Sequence, residues 1–214
     1  MVSPKLRNYV NKNIIPKYHS MQDGHDDVHI NNVLKDAFRI ANNPKLRKYT
    51  INHDILFTAV VYHDIGMIHG RKDHEIKSVE ILNSDQFIKN FFSKKDLQVI
   101  SDAIEDHRSS RFGMRRSIYG KILSDADNES AMDPTRSITR LWKYREVNMA
   151  DFSNEEKFAS MMSHINELYS DKGPYMSFEL PIDCNINTIK HAGELMKNPE
   201  YTKKILEKEF GVKV

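Results

Sequence analysis

Cysteine is nearly missing from the 214 residues: Cys184 stands alone, against ten histidines. A single thiol excludes an internal disulfide, a CxxC redox pair and a cysteine-rich zinc site, and it fits a reducing compartment. Cys184 lies in Leu180-Pro181-Ile182-Asp183-Cys184-Asn185 with no glycine-rich turn around it, so packing is expected of it rather than nucleophilic catalysis. Glycine and proline are sparse, at eight and seven, which excludes collagen-like and Pro/Gly-rich disordered chains. No apolar run approaches the roughly 18 residues of a membrane span, and the start of the chain, MVSPKLRNYV, shows no signal-peptide stretch. A soluble cytoplasmic protein without a membrane partner is expected. An excess of one charge is also lacking: 32 basic residues meet 30 acidic ones for a net +2, so nucleic acid is not a required partner. The length and the 39% hydrophobic content suffice for one buried core. A single domain over 1–214 is expected, with its core at 20–130 and a helical extension and covering loop at 131–214.

Hydrophobic spacing reads as helix throughout. From Asp26 to Ile40, residues His29, Val33, Ala37 and Ile40 form one stripe. Asn52 caps a segment, running to Ile65, so apolar (Ile55, Leu56, Ala59, Val60, Val61) that it should be a buried central helix ended by Gly66. Further helices are expected at about Lys72–Leu82, from a capping-box-like start at Ser93-Lys94-Lys95-Asp96, at about Ser117–Ala126, at Asn154–Tyr169 and at Pro199–Phe210, the last with Gly211 just past its end. Gly173 to Asn185, with two prolines and no helical period, reads as a long ordered loop. No alternating strand pattern, repeat or low-complexity tract is present, so the fold class expected is all-α.

Histidine is what the chain has in excess. Seven of the ten (His25, His29, His53, His63, His69, His74, His107) fall between residues 25 and 107, and neutral imidazole is the commonest metal ligand. His63-Asp64 follows the apolar run Ala59-Val60-Val61-Tyr62. Neighbouring helical residues point about 100° apart, so this pair can grip one cation only from different sides, as at a helix end. Imidazole nitrogen with carboxylate oxygen suits Mn, Co, Ni, Fe, Mg or Zn. The dipeptide alone says little: His53-Asp54 in the same chain sits at an expected helix start, where Asp complements the macrodipole.

The ordered set His29, then His63-Asp64, then Asp125 in Ile122-Leu123-Ser124-Asp125-Ala126-Asp127, resembles the HD-domain phosphohydrolase superfamily over roughly residues 20–130. It looks most like small bacterial HD nucleotide hydrolases in which H-x-x-R-V, HDIG, H-x-x-x-S, E-x-H and D-A-D elements follow one another. Here these stand as His29-Ile30-Asn31-Asn32-Val33, His63-Asp64-Ile65-Gly66, His74-Glu75-Ile76-Lys77-Ser78, Glu105-Asp106-His107 and Asp125-Ala126-Asp127. The resemblance implies an HD-domain helical bundle with additional C-terminal helices, and one divalent metal ion held by His29, His63, Asp64 and Asp125. Asp64, His74 and His107 are then the catalytic candidates. Asp64 is the natural bridge if a second ion is held; His74 and His107 would ligate that ion, support the ligands from behind, or stabilise the leaving phosphate. Asn32 stands where the pattern has Arg. Ile65-Gly66-Met67 lacks the acidic residue that follows the pair in HD nucleoside-monophosphate phosphatases and the ED pair of the alarmone hydrolases, and no GYP element follows.

A basic stretch runs from Arg108 through Arg111, Arg115 and Arg116, and Lys121 follows one turn before Asp125. Guanidinium forks match phosphate oxygens, so these five residues are the substrate-binding candidates. The expected function is metal-dependent cleavage of a phosphoanhydride or phosphoester bond in a small-molecule nucleotide, with nucleoside triphosphate, releasing pyrophosphate, favoured by the resemblance. A phosphodiesterase acting on cyclic or short oligonucleotides is the alternative enzyme, and a catalytically inactive, metal-stabilised nucleotide-binding module the alternative of another class. A homo-oligomer is compatible with either.

Overall fold

A computed structural model describes residues 1–21, 26–108, 113–130, 133–171, 173, 178–180 and 183–214. The fold is all-α, and no strand occurs among the described residues. The helices are α1 (Pro4–Asn13), α2 (Asp27–Ala41), α3 (His53–Tyr62), α4 (His74–Ser84), α5 (Gln86–Phe91), α6 (Lys94–Asp106), α7 (Ile118–Ser130), α8 (Pro134–Asn148), α9 (Asn154–Leu168), α10 (Asp183–Lys197) and α11 (Pro199–Phe210). They group into two compact units. The first comprises Met1–Ser130 with Phe178–Ile182, the second Ala131–Ser177 with Asp183–Val214.

In the first unit α3 is the central helix. Asn52 caps it by accepting from the amides of Asp54 and Ile55, and every residue from Ile55 to Tyr62 is buried. A helix apolar all round has to lie inside, and α2, α6 and α7 pack against it. α2 begins at Asp26, whose carboxylate accepts the His29 amide at 2.8 Å, and buries His29, Ile30, Val33, Ala37 and Ile40 along the stripe the spacing predicts. α6 begins at Ser93, whose hydroxyl takes the Asp96 amide and donates to the Asp96 carboxylate. α3 stops at Tyr62, earlier than the Ile65 expected, and a 3-10 turn spans Ile65–His69. His63 and Asp64 therefore sit where regular helix has just ended.

Asp85 ties three helices of this unit together. Its Oδ1 caps α5 at the Ile88 amide, while Oδ2 accepts the hydroxyls of Tyr9 on α1 and Tyr62 on α3, each at 2.7 Å. Tyr62 is fully buried. Replacing Asp85 by alanine is expected to lower unfolding stability by about 2–4 kcal/mol, because a cap is lost and a buried phenol is left without its acceptor. Urea denaturation of Asp85→Ala beside Asp85→Asn checks this, and a loss below 1 kcal/mol for alanine would count against it.

The second unit is held by buried Trp142, Met161, Ile165, Ile189, Met196 and Leu206. α9 opens with a reciprocal capping box between Ser153 and Glu156. α11 has Asn198 as its cap, Pro199 in its first turn and Gly211 left-handed at φ 67° past its end. One expectation is corrected: α10 begins at Asp183, so the stretch read as loop through Asn185 is helical in its last three residues. The residues just before it, including Pro181, dominate that window and hide the helical period that begins two residues later. No helix among the described residues is long and apolar enough to cross a membrane.

Candidate metal centre

Six side chains of the first unit converge on one point. His29 comes from the first turn of α2, His63 and Asp64 from just past α3, His74 from the first residue of α4, His107 from the residue after α6, and Asp127 from α7. All are buried except Asp127, which is half-buried. Helix ends suit this work, since backbone leaving the helical path can turn side chains toward a common centre that no single helix face could present.

The imidazoles are aimed by their own backbones. Nδ1 of His63 lies 2.7 Å from the Val60 carbonyl, Nδ1 of His74 lies 3.0 Å from the Arg71 carbonyl, and Nδ1 of His107 bonds the Ile104 carbonyl. A carbonyl only accepts, so Nδ1 carries a hydrogen in each ring and Nε2, with its lone pair whenever the ring is neutral, faces the cluster. Metal-binding histidines are oriented in this way.

Asp64 divides the cluster in two. Its Oδ2 lies 3.3 Å from Nε2 of His63 and 3.6 Å from Nε2 of His29; its Oδ1 lies 3.2 Å from Nε2 of His74 and 3.7 Å from Nε2 of His107. Asp127 joins the first pair, with Oδ1 at 3.2 Å from His29 Nε2 and 3.8 Å from His63 Nε2. The Nε2 atoms of His74 and His107 stand 3.3 Å apart. Among the described residues no well-formed hydrogen bond reaches the buried Nε2 of His63. A buried polar atom left this way needs a partner. The groups His29/His63/Asp64 and Asp64/His74/His107 each bring their ligand atoms within 4.8 Å of one another. Neutral imidazole with carboxylate oxygen fits a divalent cation in both places.

The charges respond to this crowding. Burial alone would lower His63, but the Asp64 and Asp127 carboxylates outweigh it and bring it up to about 9. His29 and His74 are likewise raised, against burial, by Asp127 and Asp64 and by Asp64 respectively. His107 goes the other way, down to about 4, through burial and the neighbouring charge of His63. Burial pushes Asp127 up, yet the His29 hydrogen bond and the His63 charge hold it well below the usual carboxylate range. In the metal-free protein, protons on Nε2 thus stand where a cation would bind, and metal uptake has to release them.

A pH dependence follows. His63 is raised from 6.5 to about 9, so its contribution to metal-free stability is fully present below pH 6.5 and is lost as pH rises through about 9. The melting temperature of chelator-treated protein should therefore fall by several degrees between pH 6.5 and 8.5, while the stabilisation added by Mn(II) grows over the same range. Thermal scans with and without Mn(II) test this; a metal effect that shrinks with rising pH would be incompatible with proton displacement.

Of the residues expected at the site, the structure brings together His29, His63, Asp64, His74 and His107. It does not bring Asp125 among them. The Asp125 carboxylate accepts the backbone amides of Glu179 and Leu180 at 3.2 and 3.0 Å, and burial raises it to about 7. Residues two apart on a helix differ in direction by about 200°, so α7 can turn only one of Asp125 and Asp127 toward the histidines, and that one is Asp127. The residue expected from the sequence is Asp125; the carboxylate of α7 that lies beside His29 and His63 is Asp127.

The described members of the basic stretch are engaged by the chain's own carboxylates. Arg108 bonds both oxygens of Glu75. Arg115, buried, bonds the Asp106 carbonyl and Glu179. Arg116 is held by Asp102, Glu105 and Asp106, and Lys121 lies 3.4 Å from Glu179. Arg108 is linked to the cluster through Glu75, which lies 3.6 Å from Nδ1 of His74. Arg111 and His25 lie outside the described residues, and His69 is exposed at the end of the 3-10 turn.

Two hydroxyls, that of Tyr18, which no sequence motif marks, and that of Ser78 in the H-x-x-x-S element, hold the backbone at the end of α3 and just past it. Tyr18, fully buried, donates to the Val61 carbonyl at 2.9 Å. Ser78 on α4 donates to the His63 carbonyl and accepts the Gly66 amide, both at 2.8 Å. In comparisons with known proteins, residues 27–132 match one family model, that of the HD domain. No curated protein and no solved structure matches the chain.

Proposed function

Since residues 27–132 match the HD-domain family model, whose members are metal-dependent hydrolases as a rule, we propose that this protein holds two divalent cations and hydrolyses a phosphoanhydride or phosphoester bond of a nucleotide. The observation that carries the reading is Asp64, whose two oxygens face separate histidine pairs. Cations bound there would lower the pKa of water and neutralise charge on phosphoryl oxygens. The chain's own part is to hold that geometry. Asp64 spans the two positions, His29, His63 and Asp127 complete one, and His74 and His107 complete the other. His107 stays neutral at physiological pH, so its lone pair is offered without proton loss. Glu75 is kept ionised by Arg108 against its partial burial, and it faces the Nδ1 side of His74, where its charge makes the ring a better donor.

Nucleoside triphosphates are the substrates favoured, on the resemblance of the ordered motifs and because two adjacent cations match adjacent phosphoryl groups. The test is a panel of ribo- and deoxyribonucleotides, cyclic nucleotides and short oligonucleotides, incubated with Mn(II)-loaded protein and with Asp64→Asn. Metal-dependent turnover absent from the variant is expected, and the products name the bond. Full metal loading without turnover on any member would replace the enzyme with a binding module.

A further inference from the structure

The two halves of the cluster sit on separate pieces of backbone, and something must set the distance between them. His63 and Asp64 lie on the turn after α3, where Asp64 has left helical geometry at φ −107°, ψ 2°. That turn keeps anchors of its own: Nδ1 of His63 on Val60 and the Tyr18 hydroxyl on Val61. His74 lies on α4, whose start is poorly secured. The residue before it, Asp73, is left-handed at φ 54°, a costly conformation for a residue with a Cβ, and its side chain makes no capping hydrogen bond. The first turn of α4 is held without a cap, by His74 Nδ1 on the Arg71 carbonyl and by Arg108 on Glu75, and neither contact ties it to the turn that carries His63 and Asp64.

Ser78 supplies that tie. It lies four residues after His74, hence on the same face one turn on, and it is fully buried. Its single hydroxyl donates to the His63 carbonyl and accepts the Gly66 amide, each at 2.8 Å, so it closes the turn that carries His63 and Asp64. Beside it the two backbones touch: a Cβ on Gly66 would meet the His74 carbonyl at 2.1 Å and the Ser78 nitrogen at 2.7 Å. One hydroxyl and one missing methyl thus form the buried part of the join between the two ligand-bearing segments, beside an exposed bond from Lys77 to the His69 carbonyl.

We propose that Ser78 is a positioning residue that sets the separation of Asp64 Oδ1 and His74 Nε2, 3.2 Å in this structure, and through it the affinity for the second cation. This rests on the two-cation reading. Losing the hydroxyl removes the buried bonds between α4 and the turn while leaving the Val60 and Val61 anchors in place, so the cost falls on the Asp64/His74/His107 position.

The test is a Mn(II) titration against a chelating indicator, run on wild type, Ser78→Ala, Ser78→Cys and His74→Ala, with far-UV circular dichroism as the check on folding. Wild type should take up two equivalents and His74→Ala only the first. Ser78→Ala should bind the first as wild type does and the second about 10- to 100-fold more weakly, as when other groups behind metal ligands are removed. Ser78→Cys, nearly isosteric but a weak hydrogen-bonding group, should fall between, and it decides the matter if the alanine variant does not fold. Two equivalents at wild-type affinity in the serine variants, whatever happens to their melting temperature, would overturn the proposal and leave Ser78 a merely structural hydroxyl. A single equivalent in wild type would instead remove the two-cation reading on which it stands.

Discussion

Asp64→Asn is expected to cost both cations, each by more than about 100-fold in affinity, since a shared ligand should outweigh the 10- to 100-fold typical of groups behind the ligands. Its two oxygens face four different Nε2 atoms. An asparagine offers one oxygen, and its NH2 group turns two donor hydrogens toward whichever histidine pair it faces. The metal-free fold should survive. Asp64 is buried, but what it holds in the absence of metal is protons on His63, His29 and His74, and those imidazoles can release them. Above pH 9 the metal-free variant should therefore melt close to wild type; below pH 6.5, where the raised histidines contribute stability, it should melt lower. Equilibrium dialysis with metal analysis, beside thermal scans at the two pH values, measures both parts. One equivalent retained at wild-type affinity would show that Asp64 belongs to a single site.

The second large effect separates the two aspartates of the D-A-D element. Asp127→Asn should remove the cation of the His29/His63 position and the turnover with it, leaving the His74/His107 position loaded. Asp125→Asn should keep both cations and lose about 1–2 kcal/mol of stability, because Asp125 accepts two backbone amides and an asparagine would set its own N–H against one of them. Metal stoichiometry and urea denaturation on the same two preparations give opposite signatures for the two variants. A loss of metal in Asp125→Asn with full loading of Asp127→Asn would mean that α7 turns the other face to the histidines.

Much of this was legible before any coordinates. Local rules wrote the helices: Asn52, Ser93, Ser153 and Asn198 cap where the apolar period begins, and Gly211 ends the last helix. Helices α1 and α8 escaped the reading although each announces itself by a capping residue before proline, Ser3-Pro4 and Asp133-Pro134. The residue types and their order along the chain, His29, His63-Asp64, His74, His107 and an aspartate of α7, were sufficient for the metal chemistry, because imidazole and carboxylate donors are a property of composition.

What the sequence by itself determined, then, is which helices form and which donors exist, since caps, periods and ligand types act within a few residues. Tertiary structure decided which aspartate of α7 faces the histidines, because a helix's rotation is set by everything packed around it. It decided that Arg115 and Lys121 meet Glu179 across 64 and 58 positions of chain, pairings that no local pattern encodes. It also decided that one carboxylate, Asp64, stands between two pairs of histidines, because that placement exists only once four separate helix ends have been brought within a few ångströms.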